Sequence, residues 1–167
     1  MSGREARAVL LLPFTVTIVV PAVILWWTED VSFAWGLRGV VAALPVVLGV
    51  ALLAVGLVLV VWTIRLFSRV GEGTLAPWDP TAKLVVSGPY RHVRNPMISG
   101  VAFVLVGETV VLGSKALALW FAAVVALNAV YIPLVEEPGL RRRFGAEYDA
   151  YRANVPRWLP RLRPWSA

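Results

Sequence analysis

The chain has 167 residues, of which 59% are hydrophobic and 16% charged, and it carries a net charge of +6 at pH 7. A mean hydropathy of +0.74 excludes an ordinary soluble domain and predicts an integral membrane protein. Cysteine is absent, which excludes a disulfide framework, a thiolate metal site and cysteine nucleophilic chemistry. No metal site is expected.

Residues 8–27 form the first apolar segment, preceded by Arg4 and Arg7. Basic residues before an apolar run also describe a cleavable signal peptide. This run is long for that, contains Pro13 and Pro21, and ends at Trp26-Trp27 without a small-residue cleavage site. The expectation is a retained helix with tryptophan anchors at the far interface. Residues 40–64 form a second, longer span. The central loop, 65–95, contains Gly71-Glu72-Gly73-Thr74 and Ala76-Pro77-Trp78-Asp79-Pro80, which predict turns. Gly71-x-Gly73 lacks the third glycine and the strand and helix context of a dinucleotide fingerprint, so no Rossmann domain is expected.

The third segment, 97–112, is short, because about 20 apolar residues cross a hydrocarbon core. Gly113-Ser114-Lys115 should turn it into the fourth segment, 116–134. Beyond it, Leu140, Phe144, Tyr148, Tyr151 and Val155 recur at helical spacing, with Arg141, Arg142, Arg143, Glu147 and Arg152 largely off that stripe. An amphipathic interfacial helix is predicted, with Pro138 in its first turn and Pro156 ending it. The fold class is therefore all-α, a single membrane domain over 1–167 with about four transmembrane helices.

The distribution of positive charge orients the spans. The connections after the first and third segments hold only Arg38 and Lys115, and the other 14 of the 16 Lys and Arg lie at the N-terminus, in the central loop and in the tail. The positive-inside rule then places both termini in the cytoplasm, and the plasma (inner) membrane is the expected location. The clustered charges suit anionic headgroups better than nucleic acid, which is not an expected partner.

Polar residues concentrate where the chain should be turning apolar, in Ser87-Gly88-Pro89-Tyr90-Arg91-His92-Val93-Arg94-Asn95-Pro96. Arg91 and Arg94 offer forked donors suited to a carboxylate, and His92 is the single histidine. Pairing with headgroups alone would equally account for the two arginines. Glu136-Glu137 stands at the cytoplasmic end of the fourth span, where a carboxylate needs a positive partner. Arg91, Arg94 or a cationic ligand would serve. Glu108 and Asn128 lie within spans; Asn128 reads as an interhelical hydrogen bond and neither is assigned to the site.

The order Gly88-Pro89-Tyr90-x-x-x-Arg94-Asn95-Pro96, then Glu136-Glu137-x-x-Leu140-x-x-x-Phe144-Gly145-x-x-Tyr148-x-x-Tyr151, then Val155-Pro156-Arg157, resembles the isoprenylcysteine carboxyl methyltransferases and their phospholipid methyltransferase relatives. The resemblance covers residues 84–160. It implies a membrane enzyme that holds S-adenosyl-L-methionine at the cytoplasmic interface, with the cofactor-binding half at 82–160. Carried over by position, it implies cofactor contacts from Lys83, Leu84, Val85, Tyr90, Arg94, Asn95, Pro96, Ile98, Glu136 and Glu137. Arg94, Glu137 and His92 are the candidate catalytic residues, and a lipophilic small molecule or lipid is the implied acceptor. Asn95 and Ile98 stand where the family usually has His and Tyr. Ile132 and Pro133 stand where the prenylcysteine enzymes have an Arg for the substrate carboxylate, which weakens a prenylcysteine reading. A nicotinamide-dependent lipid or sterol reductase, and a non-catalytic scaffold or transporter, are the alternatives.

Overall fold

A computed structural model describes residues 11–70 and 83–166, and these are helical or irregular, with no strand. The N-terminal arginines, the first residues of the first segment and both turn sequences of the central loop lie outside the described residues. The chain is an all-α integral membrane protein. Its helices are α1 (Leu11–Thr28), α2 (Val40–Val70), α3 (Pro96–Leu112), α4 (Lys115–Tyr131), α5 (Glu137–Phe144) and α6 (Ala146–Asn154). α1, α2 and the continuous helix Lys115–Phe144 are long and apolar enough to cross a membrane, whereas α3 has 17 residues.

Proline explains an irregularity that recurs in two of these helices. Thr15–Val19 and Ile132–Glu136 are π-helical. In each, the residue before a proline reaches back five positions: Val20 N–H to the Thr15 carbonyl ahead of Pro21, and Glu137 N–H to the Ile132 carbonyl ahead of Pro138. The wider turn relieves the clash of a proline ring with the carbonyl four residues earlier. It also strands the Val16 carbonyl, whose α-type donor is diverted and whose π-type donor would be Pro21. Trp120 Nε1 on α4 donates to that carbonyl at 3.0 Å, so the irregularity in α1 becomes an interhelical tie. The second π turn inserts one residue ahead of Glu136-Glu137, rotating the helix beyond it by about 100° relative to a regular helix.

α2 and α3 pack antiparallel through glycine. Gly56 opposes Gly100 and Gly49 opposes Gly107: a Cβ built on Gly56 would stand 2.7 Å from the Gly100 carbonyl, and one on Gly107 would stand 2.8 Å from the Gly49 carbonyl. This close approach seats α3 against α2, while its other side joins Val124, Trp120 and Phe121 of α4 and Val16 of α1 around Val101 and Leu105. At the end remote from the polar segment, Asp30 accepts from Ser114 Oγ at 3.1 Å and from Ala116 N–H at 2.8 Å, capping α4 together with Ser114, which accepts from Leu117 N–H. Chiefly the Ala116 bond, and the Ser114 bond with it, holds the Asp30 carboxyl below its ordinary value.

Two expectations need correction. The tail helix is not continuous: Gly145, at φ 53° and ψ −127°, breaks it into α5 and α6. The apolar stripe still forms one surface, but Tyr148, Tyr151 and Val155 pack inward against Leu84, Val86, Leu140, Phe144 and Trp165. Asn128 bonds within its own helix, Nδ2 donating to the Val124 carbonyl at 2.8 Å, rather than across helices.

Candidate functional site

The polar segment folds as a 3-10 turn over Gly88–Arg91 that runs to Asn95 at the head of α3. Turns this short leave backbone groups unpaired, and the C-terminal tail supplies partners for them. Arg94 N–H donates to the Pro156 carbonyl, Arg161 N–H to the His92 carbonyl and Trp165 N–H to the Arg91 carbonyl, each at 2.9 Å. Tyr151 Oη donates to the Tyr90 carbonyl at 2.7 Å. Tyr90 itself is buried and stacks edge-on against Phe67 of α2, ring centroids 5.5 Å apart. Burial pushes the Tyr90 phenol well above its usual value, and the nearby Tyr151 and Glu136 add to this.

Glu137 is the electrostatic centre. Its side chain is 6% exposed. Arg157 grips it bidentately, Nε to Oε1 at 2.6 Å and Nη2 to Oε2 at 3.0 Å. Arg94 Nη1 donates to Oε1 at 2.9 Å, and Arg152 Nε stands 3.8 Å from Oε2. The hydrogen bond to Glu137 raises Arg157 above its ordinary value. One buried carboxylate thus joins the fourth span, the polar segment, α6 and the tail. Such a hub is held by forked charge-assisted bonds that offset desolvation.

The polar groups left over define the ligand chemistry. Arg94 Nε and Ser87 Oγ are buried without a hydrogen-bond partner. Glu136 is half-buried and has no hydrogen-bond or ion-pair partner among the described residues. Tyr148 stands close to Arg94 and to both glutamates. Arg94 Nη1 donates to its hydroxyl at 3.4 Å, and burial, then Glu137 and Glu136, raise its phenol while Arg94 opposes the shift. Together they offer an unused donor and an unused carboxylate, the set that a zwitterion or an ammonium or sulfonium group requires.

The residues singled out from the sequence divide between two places. Arg94, Glu137, Glu136, Tyr90 and the apolar Leu84 converge with Tyr148 and Tyr151, and Val85 is buried between Leu84 and Val86. Lys83 is exposed and Ile98 half-buried, and Pro96 is buried as the first residue of α3. Asn95 is turned to the tail, Nδ2 donating to the Arg157 carbonyl at 3.3 Å. Arg91, one expected partner of the Glu pair, instead donates Nε to the Trp165 carbonyl at 2.6 Å. His92 lines a separate cavity of about 490 Å³ between α2, α3 and the tail, whose walls include neither glutamate nor Arg94. Ser87, Tyr148, Arg152 and Arg157 were not singled out as site residues. Arg157 carried a signal in Val155-Pro156-Arg157, at the end of the ordered motif.

The phospholipid methyltransferase family profile matches residues 44–147, more than half of the chain. The chain belongs to the phospholipid methyltransferase family. The matched stretch holds most of α2, then α3 to α5, with the polar segment and the Glu pair. Among curated relatives, the Protein-S-isoprenylcysteine O-methyltransferase B of Arabidopsis thaliana is 39% identical over 79 residues, covering 47% of this chain and 40% of that protein. The match thus spans less than half the length of that relative. No solved structure gives a significant match.

Proposed function

We propose that the protein is an S-adenosylmethionine-dependent methyltransferase acting on a lipophilic or membrane-associated acceptor at the cytoplasmic face of the membrane, with both termini cytoplasmic. Membership of the phospholipid methyltransferase family supports methyl transfer, and the charge distribution supports the orientation. The observations that carry the cofactor reading are the buried Arg94 Nε without an acceptor and Glu136, unpaired among the described residues, both residues acting on Tyr148. The donor set fits the group: Arg94 Nε would hold the carboxylate of its amino acid end, and Glu136 would face its ammonium or sulfonium. Tyr90 and Tyr148 would close over it with Leu84 and Val85. S-adenosylmethionine, when bound, supplies a methyl group activated by the sulfonium.

The protein's own part is positional. Glu137 is committed to three guanidinium groups, so its task is to fix Arg94 and to keep that charge neutralised in a low-dielectric setting. Holding two reactants in line is worth up to about 7–11 kcal/mol of barrier, and water exclusion by the tail strengthens every charge contact beneath it. Purified protein in nanodiscs, given methyl-labelled S-adenosylmethionine and a bacterial lipid extract, is expected to transfer label into the organic phase. Label that stays wholly in water with every extract would contradict the proposal.

A further inference from the structure

The 490 Å³ cavity is apolar along the membrane-facing helices and polar only at the turn that opens α3. Leu59, Trp62 and Phe103 form its apolar walls, and Arg91, His92 and Ser99 its polar end. Phe103 lies four residues beyond Ser99, about 6 Å further along α3. That polarity suits an amphiphile with a small head.

The tail fixes the chemistry of that head. Arg161 holds His92 twice, its N–H donating to the His92 carbonyl and its own carbonyl lying 2.8 Å from Nδ1. A carbonyl oxygen only accepts, so Nδ1 carries the proton, and in the neutral ring Nε2 carries the lone pair. Nε2 has no partner among the described residues and is not a buried orphan. Beside it Arg91 is anchored through Nε to the Trp165 carbonyl, and no carboxylate lines the cavity.

Resting on the methyltransferase reading, we infer that this cavity takes a lipophilic thiol and that His92 Nε2 is the base that deprotonates it. Three acceptor classes meet different fates here. A carboxylate is already ionised and has no use for a base. An ammonium would meet the Arg91 guanidinium and no carboxylate. An alkyl hydroxyl, near water at about 15.7, is far too weak an acid to give up its proton to a ring nitrogen at neutral pH, whereas a thiol at about 8.5 is within reach. The proton moves from the acceptor S–H to Nε2, and sulfur keeps the electron pair, its new negative charge standing beside the Arg91 guanidinium. That pair makes the bond to the methyl group as the methyl–sulfur bond of the sulfonium breaks, the departing thioether keeping the electron pair of that bond, and the imidazolium returns its proton to water.

The single histidine makes the test direct. Ring-15N spectra of histidine-labelled protein in nanodiscs should show the Nδ1-protonated tautomer, with the Nε2 signal shifted by 1-decanethiol and not by decylamine. With labelled S-adenosylmethionine, decyl methyl sulfide should form faster than methyl decanoate from decanoate. His92→Asn keeps an amide N–H where Nδ1 stands and so retains the Arg161 bond, but lacks Nε2. It should slow thiol methylation by about 100-fold or more and leave S-adenosylmethionine affinity within about twofold. An Nε2-protonated tautomer, a ring unmoved by the thiol, a preference for decanoate, or a His92→Asn rate within a few-fold of the original would each overturn the inference. Correct ring spectra in a protein that binds no S-adenosylmethionine would uphold the thiol site and sink the methyltransferase reading.

Discussion

Glu136 and Glu137 are neighbours in sequence with opposite circumstances. Glu137 is saturated by Arg94, Arg152 and Arg157, whereas Glu136 is half-buried and unpaired among the described residues. Removing one partner of a buried ion pair leaves the others uncompensated, so Glu137→Gln is expected to cost on the order of 3–5 kcal/mol of stability, read as a large fall in thermal midpoint. Glu136→Gln should leave the midpoint unchanged or raise it. The sequence made both carboxylates and Arg94 legible, because charged residues at the edge of an apolar run need partners. It did not separate their roles. Tail arginines 141, 142, 143, 152 and 157 look alike in one dimension, and only the fold says which of them reach the buried carboxylate.

At the scale of elements, the glycine pairs and the capping aspartate set how the helices meet. Gly56→Leu forces a side chain into the Gly100 backbone and should destabilise by about 1–3 kcal/mol, measured by thermal unfolding in detergent. Gly139→Ala, with nothing within 4 Å of the added Cβ, should be neutral or slightly stabilising. The Asp30 carboxyl sits below its ordinary value of 3.8, so its contribution is present above the unfolded value and lost as pH falls through the lower folded one. Stability should therefore drop as pH is lowered below about 4, and Asp30→Asn should flatten that part of the profile. Helix positions were largely legible from hydropathy, and the stripe from Leu140 to Val155 correctly marked one apolar surface. The break at Gly145 was not, because the stripe keeps helical spacing across it. The π turns arise from Pro21 and Pro138, a local effect that apolar periodicity does not register.

Across the whole molecule, the C-terminal tail returns to the polar segment and pairs with it through Pro156, Arg157, Arg161 and Trp165. Two compartments result, one polar beneath Tyr148 and one apolar toward the membrane. The ordered motifs, spaced across two spans, made the first legible. The second depends on contacts more than 60 residues apart in sequence, which no local pattern encodes. The central claim is that the polar compartment holds S-adenosylmethionine through the unpaired glutamate. Isothermal titration of the purified protein with S-adenosylmethionine tests this most directly. The unmodified protein should bind, and Glu136→Gln should bind at least about tenfold more weakly while keeping its thermal midpoint. Absence of binding by the unmodified protein, or undiminished affinity in Glu136→Gln, would contradict it.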